Sequence, residues 1–339
     1  MKNKKDIYML GIESSCDDTC AAVVVNGCDI LSNIVSSQNE IHKKYGGIVP
    51  EVASRRHIEM IDIVIMEALE KAGIGLEAID AISVTNRPGL IGSLLVGVGA
   101  AKAISYAAGI PLIAINHLEA HLYSNMLENP KFYGSFLGLI VSGGHSSLYI
   151  VDEEWNIKKI GHTVDDAAGE AFDKIARYLN LGYPGGPVID RLAANGNEDL
   201  IEFPRPMMES GDFNFSFSGL KTALIYRTKK DKSLMNKSNI AHLVAGFQKA
   251  IVDVLTHKTI AAAKKFGISK VFISGGVAAN SRLRKEFLKK GKENNLEVYI
   301  PPLYLCMDNA AMVGCLGYHK FKKGLIDNMK IDVYSRSDF

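Results

Sequence analysis

The sequence predicts an α/β protein built from two domains, and three observations lead there. Its 339 residues, 47% hydrophobic and 22% charged, suit an ordinary soluble chain of about two domains of 100–200 residues each. Such a chain buries about 75% of its unfolded surface and needs no staples. A strand–turn–strand pattern occurs at residues 7–25 and again at 136–151, a repeat of architecture rather than of sequence. Between and after these units, segments of helical period alternate with short β-branched runs.

The elements follow in order. Ile7 to Ile12 reads as a strand, Glu13 to Thr19 as a polar turn and Ala21 to Val25 as the returning strand. Val52 to Gly73 carries apolar residues at 58, 61, 65 and 69, close to helical period. Ile79 to Thr85 is a strand, Asn86-Arg87-Pro88-Gly89 a turn, and Leu90 to Ala108 a helix rich in Gly and Ala. Gly92, Gly97 and Gly99 weaken that helix by about 1 kcal/mol each relative to Ala; close backbone approach is the compensating reason. Gly97-Val98-Gly99 lacks a third glycine and opens no strand-to-helix turn, so a Rossmann fingerprint is rejected. Pro111 to Ile115 is a strand.

Phe136 to Val141, Ser142 to Ser146 and Leu148 to Val151 repeat the strand–turn–strand pattern. Ala167 to Leu179 is a helix whose start is crowded by Asp165 and Asp166, acids that favour a helix N-terminus. Gly182 to Pro187 is a turn, with Asp190 on the next helix. Phe213 to Lys221 alternates aromatic and small polar residues, as a short strand or an aromatic platform beside a ligand would. A helix from Ile240 to Phe266 precedes the strand Lys270 to Ser274.

The formal net charge of +2 gives no global signature of a nucleic-acid binder. The basic clusters at Arg55-Arg56, 227–232, 282–285 and Lys289-Lys290 read as solvated faces. An RNA partner therefore does not follow from charge. Five cysteines without a paired CxxC motif read as reduced thiols in a cytoplasmic protein. Behind the basic start Met1 to Lys5, the apolar run ends at Glu13, too short for a signal peptide. The run from Leu90 to Ala101 is broken by Lys102, short of the roughly 18 residues of a membrane span, so no membrane is expected.

The stretch with most chemistry in it is Asn116-His117-Leu118-Glu119-Ala120-His121. Histidines four apart share one face of a helix and can bind one metal ion. An amphipathic helix with two ordinary histidines has the same spacing. Glu119 neither follows the first histidine nor precedes the second, as a zinc-protease base would. Asp308, between Pro301-Pro302 and an Ala-rich helix, reads either as a helix cap or as the third ligand of a two-histidine, one-carboxylate site. Two strands end in Ser-Gly-Gly, at 142–144 and 274–276. Such loops expose backbone N–H groups to an anion or serve as plain turns. Neither is a Walker A loop.

Together these residues resemble the TsaD/Kae/Qri family, also called Gcp. The resemblance runs through Gly11-Ile12-Glu13-Ser14-Ser15-Cys16-Asp17-Asp18-Thr19, Tyr45 to Glu51, the His117/His121 pair, Val141 to His145, Asp165 to Lys174, Tyr183 to Pro187, Phe215 to Thr222 and Ser274 to Asn280, in order along nearly the whole chain. It implies an actin/Hsp70/sugar-kinase (ASKHA) fold: two RNase H-like domains, with nucleotide and metal in the interdomain cleft. The expected division is 1–113 plus a C-terminal helix at 310–330 for the first domain, and 114–309 for the second. The implied activity is transfer of a threonylcarbamoyl group from threonylcarbamoyl-AMP to N6 of adenosine 37 in tRNAs reading codons that begin with A. It further implies His117, His121 and Asp308 as ligands of one iron or zinc ion. Val141, Ser142, Gly143, Gly144, His145, Asp173, Gly186, Asp190 and Asn280 would contact substrate or an ATP- or AMP-type nucleotide. The implied partners are tRNA, a TsaB-like paralogue of the same fold and a small TsaE-like P-loop ATPase.

The chain departs from the family pattern at Arg87, where glycine is common, at Ala120, also commonly glycine, and at Met307, commonly threonine. The ligand positions are intact. Adenine N6 is a poor nucleophile, so an activated acyl donor and a base are wanted. Asp17 is the candidate base, with Glu13 and Asp18 equally near in sequence. The rival readings are a metal-dependent glycoprotein endopeptidase, which the misplaced Glu119 disfavours, an ATP-dependent kinase of the same fold class, and a non-catalytic tRNA scaffold.

Overall fold

The computed structural model describes residues 6–127 and 134–336; the basic start Met1 to Lys5 lies outside them. Its described strands are β1 (Tyr8–Glu13), β2 (Asp18–Val25), β3 (Asp29–Ser37), β4 (Ala81–Arg87), β5 (Leu112–Asn116), β6 (Phe136–Val141), β7 (Ser146–Val151), β8 (Ile157–His162), β9 (Lys270–Ser274) and β10 (Glu297–Tyr299). Its helices are α1 (Asn39–Lys43), α2 (Pro50–Ala72), α3 (Ile91–Ala108), α4 (His117–Tyr123), α5 (Ala168–Tyr178), α6 (Gly185–Ala193), α7 (Ser218–Lys230), α8 (Ile240–Phe266), α9 (Ser281–Glu293), α10 (Leu303–Cys306) and α11 (Ala310–Lys322).

The chain divides into two compact units, Met1–Phe132 with Met307–Phe339, and Tyr133–Cys306. The expected boundaries at 113/114 and 309/310 are therefore corrected. β5 is parallel to β4 in the first sheet, with Ile82 opposite Leu112 and Thr85 opposite Ile115. A strand paired in this way carries α4 into the same unit.

In the first unit the sheet order is β3-β2-β1-β4-β5. β1 is antiparallel to β2 and parallel to β4. β1 and β2 are almost wholly buried, which needs cover on both faces. α2 and α3 pack on this sheet, and so does α11 from the far end of the chain. Gly11 makes the last contact close: a Cβ there would lie 2.2 Å from the Ala310 carbonyl oxygen and 2.8 Å from the Gly314 nitrogen. Any side chain at position 11 would push α11 off the sheet.

α3 is long and apolar enough by composition to match a membrane span. Its Ser93, Leu94, Gly97, Val98, Ala101 and Ser105 are buried. Gly97 sits where a Cβ would come 2.3 Å from Ser14 Oγ, so the small residues serve packing in the first unit.

The second unit repeats the topology, with order β10-β9-β6-β7-β8. β6 is antiparallel to β7 and parallel to β9. Both sheets thus have a central strand flanked by an antiparallel hairpin on one side and parallel strands on the other, the mixed arrangement of an RNase H-like unit. Its core joins Leu137, Leu139 and Val141 to Phe172, Phe215 and Phe247.

Phe215 and Phe217 are fully buried. The segment before α7 is therefore core, with Phe215 bridging Thr163 in parallel, and the aromatic-platform reading is set aside. Asp165 and Asp166 also depart from expectation. Asp165 accepts from the Phe217 and Ser218 amides at 2.8 and 3.3 Å and so caps α7 rather than α5. Asp166 pairs with Lys174 at 2.7 Å and Lys221 at 3.0 Å.

Candidate metal centre and glycine loops

The His117/His121 pair is delivered by the end of the first sheet. β5 ends at Asn116, whose Oδ1 accepts from the Leu118 and Glu119 amides at 2.9 and 3.3 Å and starts α4. Asp308 arrives from the other end of the sequence. The cap of α11 is its neighbour Asn309, which accepts from the Met312 amide at 3.0 Å, so the cap reading for Asp308 itself is replaced. Its carboxylate is left to face the histidines.

Asp308 Oδ1 lies 3.2 Å from His121 Nε2 and 3.5 Å from His117 Nε2. One ligand atom from each of the three residues lies within 4.8 Å of the others. Two nitrogen or oxygen ligands on arms of about 2.1 Å at a tetrahedral angle stand ~3.4 Å apart, close to both histidine–Asp308 separations, so the donor types and these two spacings suit one divalent cation. The rings meet edge to face, with centroids 4.6 Å apart at 83°. His121 Nδ1 is buried without a hydrogen-bond partner among the described residues. Its ring is held by packing and by Asp308.

His117 is held differently. Its Nδ1–H donates to Glu13 Oε2 at 2.9 Å, with Ser15 Oγ 3.1 Å away. Glu13 is fully buried and also accepts from the Ser15 amide and from Thr85 Oγ1, each at 2.6 Å. Burial alone would push the His117 imidazole down, but the carboxylates of Glu13 and Asp308 carry it well above its usual range. Burial would likewise raise Asp308, and His117 brings it well below the ordinary carboxylate range. The two carboxylates thus favour positive charge in this niche.

Asp17 sits half-buried in the turn after β1, and its pKa is raised by burial and then by the charge of Asp308. Asp18 is pushed up to about 7, by burial first and then by Asp17 and Asp308. Behind this turn, His57 Nε2–H donates to the Cys16 carbonyl at 3.0 Å, and the Thr19 hydroxyl donates to His57 Nδ1 at 2.7 Å. Glu119 turns away to Lys320, 3.8 Å off, so the residue between the histidines is no base for this site.

The remaining candidates all belong to the second unit. The Ser142 amide donates to the His145 carbonyl at 2.8 Å and closes the turn after Val141, the last residue of β6. A Cβ at Gly143, Gly144 or Gly186 would meet nothing within 4 Å. Gly275 is the opposite case: its φ is +93°, and a Cβ would lie 2.4 Å from the Val141 carbonyl oxygen. This ties the two Ser-Gly-Gly loops together. Asp173 accepts from the Gly185 amide at 2.7 Å, and Asp190 accepts from the Ser281 amide at 3.0 Å and from its hydroxyl at 2.8 Å. Asn280 accepts from the Leu283 amide at 2.9 Å and donates to Gln248 at 2.8 Å. These three polar side chains therefore start or staple helices around the glycine loops.

The model of the family "TsaD: tRNA N6-adenosine threonylcarbamoyltransferase" matches residues 29–315. The chain belongs to this family. It is 50% identical over 327 residues to the tRNA N6-adenosine threonylcarbamoyltransferase of Clostridioides difficile strain 630, covering 96% of this chain and 97% of that one. The enzyme of the same name from Syntrophus aciditrophicus is 51% identical over 332 residues, 97% of each. Among solved structures, HypF from T. kodakarensis superposes with a TM-score of 0.61 at 17% identity, covering 94% of this chain and 48% of that one. The activator of 2-hydroxyisocaproyl-CoA dehydratase from Clostridium difficile gives 0.54 at 16% identity, covering 96% and 100%. These distant likenesses bear on the fold alone.

The structure brings together His117, His121 and Asp308, the three residues grouped from the sequence; that reading left Glu13 only as a rival base and missed Thr85. The signal lay in strand register. β1 and β4 are parallel with Ile12 opposite Val84, so Glu13 and Thr85 are the next pair along.

Proposed function

We propose that the chain transfers a threonylcarbamoyl group from threonylcarbamoyl-AMP to N6 of adenosine 37 in tRNAs reading codons that begin with A, as a cytoplasmic enzyme. The observation that carries this is half identity over nearly the full length to curated threonylcarbamoyltransferases. The His117, His121 and Asp308 cluster supports it, since the resemblance implies those three positions as metal ligands.

In this reading His117, His121 and Asp308 hold one iron or zinc ion. When bound, the ion supplies Lewis acidity and a template for the donor's oxygens. The open Ser142 to His145 turn, with Asp173, Gly186, Asp190 and Asn280 around it, seats the nucleotide part of the donor. The N–H groups of Gly143 and Gly144 at its tip suit phosphate or a developing oxyanion. Asp17 accepts the proton that leaves N6. Glu13 is unsuited to that task because three donors already occupy its carboxylate. A TsaB-like paralogue and a TsaE-like ATPase complete the working assembly.

The peptidase reading is disfavoured by Glu119, whose carboxylate faces Lys320. The decisive experiment incubates the protein with unmodified tRNA, threonine, bicarbonate, ATP and the donor-making enzyme. Nucleosides are then read by mass spectrometry, with and without the two partners. Threonylcarbamoyladenosine that depends on this chain is the expected product, and its absence from the complete mixture would overturn the reading. Many turnovers by the chain alone would remove the partner requirement.

A further inference from the structure

We infer that Glu13, backed by Thr85, is the positioning residue of the metal centre, fixing which nitrogen of His117 is free to bind. The inference rests on the metal reading above and extends it to residues outside the ligand set.

Three neighbouring parallel strands end side by side. β1 ends with Glu13, β4 carries Thr85 near its end, and β5 ends just before His117. The register of β1 on β4, and of Thr85 opposite Ile115, brings these positions together. Glu13 is fully buried, as is Thr85. A buried carboxylate must be compensated in full. Here the Ser15 amide and the Thr85 hydroxyl donate at 2.6 Å each, and His117 Nδ1–H at 2.9 Å.

Only an acceptor-only group satisfies three converging donors. Glu13 therefore fixes the proton of His117 on Nδ1. That leaves Nε2, the nitrogen 3.5 Å from Asp308 Oδ1, as the atom facing the other ligands. Glu13 is not a fourth ligand, because its oxygen sits on the opposite nitrogen of the same ring. A carboxylate behind a ligating histidine orients the ring and raises its basicity, and losing it costs roughly ten- to a hundredfold in metal affinity. Among the described residues His121 Nδ1 has no such support, so orientation of the pair falls to His117.

Glutamine at position 13 cannot replace this arrangement. Its NH2 group would oppose the Ser15 amide, or would turn toward His117 and require Nδ1 to accept, moving the proton to the ligating side. Thr85→Val keeps the shape and removes one donor, loosening Glu13 without removing it.

The test is zinc affinity, measured by competition with a chromophoric chelator on the full chain, alongside a thermal melt. Glu13→Gln should melt cooperatively and bind zinc roughly ten- to a hundredfold more weakly. Thr85→Val should show a smaller loss in the same direction. Wild-type zinc affinity in folded Glu13→Gln and Thr85→Val proteins would overturn the inference while leaving the metal site standing. If Glu13→Gln does not fold, Thr85→Val alone decides. A wild-type chain that takes up no zinc would overturn the metal reading and this inference with it.

Discussion

The turn after β1 and the turn after β6 occupy the same place in two sheets of the same strand order, yet they are built oppositely. The first is filled. Glu13 is fully buried under three donors, and Asp17 and Asp18 crowd beside it. The second is bare at its tip. Gly143 and Gly144 are exposed, and an added Cβ at either would meet no atom within 4 Å. One backbone frame thus presents a fixed, charged niche in one unit and bare main chain in the other. The carboxyl ends of strands are where α/β sheets place their chemistry; which chemistry depends on the side chains at those ends.

The sharpest way to test the filled site is to empty it. On the metal reading proposed above, His117→Ala or Asp308→Ala should take up no metal by elemental analysis and reduce tRNA modification by about a thousandfold or more. The thermal melt of either variant should remain cooperative. Full metal retention would show that the niche is only a buried ion-pair network.

The contrast between glycines can be broken within the second unit. Gly275→Ala places a Cβ against the Val141 carbonyl at a left-handed φ of +93°. It should cost about 2–4 kcal/mol in denaturant unfolding. Gly144→Val should stay within about 0.5 kcal/mol of wild type. Equal stabilities would erase the distinction between a packed and an open loop.

Acid should act on the first unit through His319. Burial, then the Lys323 charge, lowers its pKa to about 4 from the ordinary imidazole value of 6.5. Between those values the unfolded chain binds a proton that the folded chain refuses, so stability falls as pH drops from 6.5 toward 4. The loss is at most about 3 kcal/mol. His319→Gln should flatten that stretch of the urea midpoint against pH. An unchanged slope would assign it to other groups.

The smallest effect expected is on ligand binding at the open loop. Gly144→Val should weaken an ATP analogue about tenfold in a calorimetric titration, roughly 1.4 kcal/mol. Metal content should not change, because His117, His121 and Asp308 lie in the first unit. Wild-type affinity in the folded variant would make the turn a plain hairpin.

Much of this was legible in the chain alone, because the signals are local. Apolar runs located β1, β2, β4, β6, β7 and β9, and helical period located α2 and α8. β3, β8 and β10 left no clear signal. Each lies at the edge of its sheet and is only partly buried, so its sequence lacks the apolar run that a central strand must have. Spacing marked His117 and His121 as a pair, since one helix fixes their separation. Asp308 is 187 residues beyond His121, and only the packing of α11 on Gly11 brings it there. Strand pairing likewise decided that β5 and α4 belong to the first unit, and that Glu13 stands behind His117 rather than serving as a free base. Local periodicity is written residue by residue in the chain. The partner of a buried charge is decided by which strands lie side by side, and that is a property of the folded sheet.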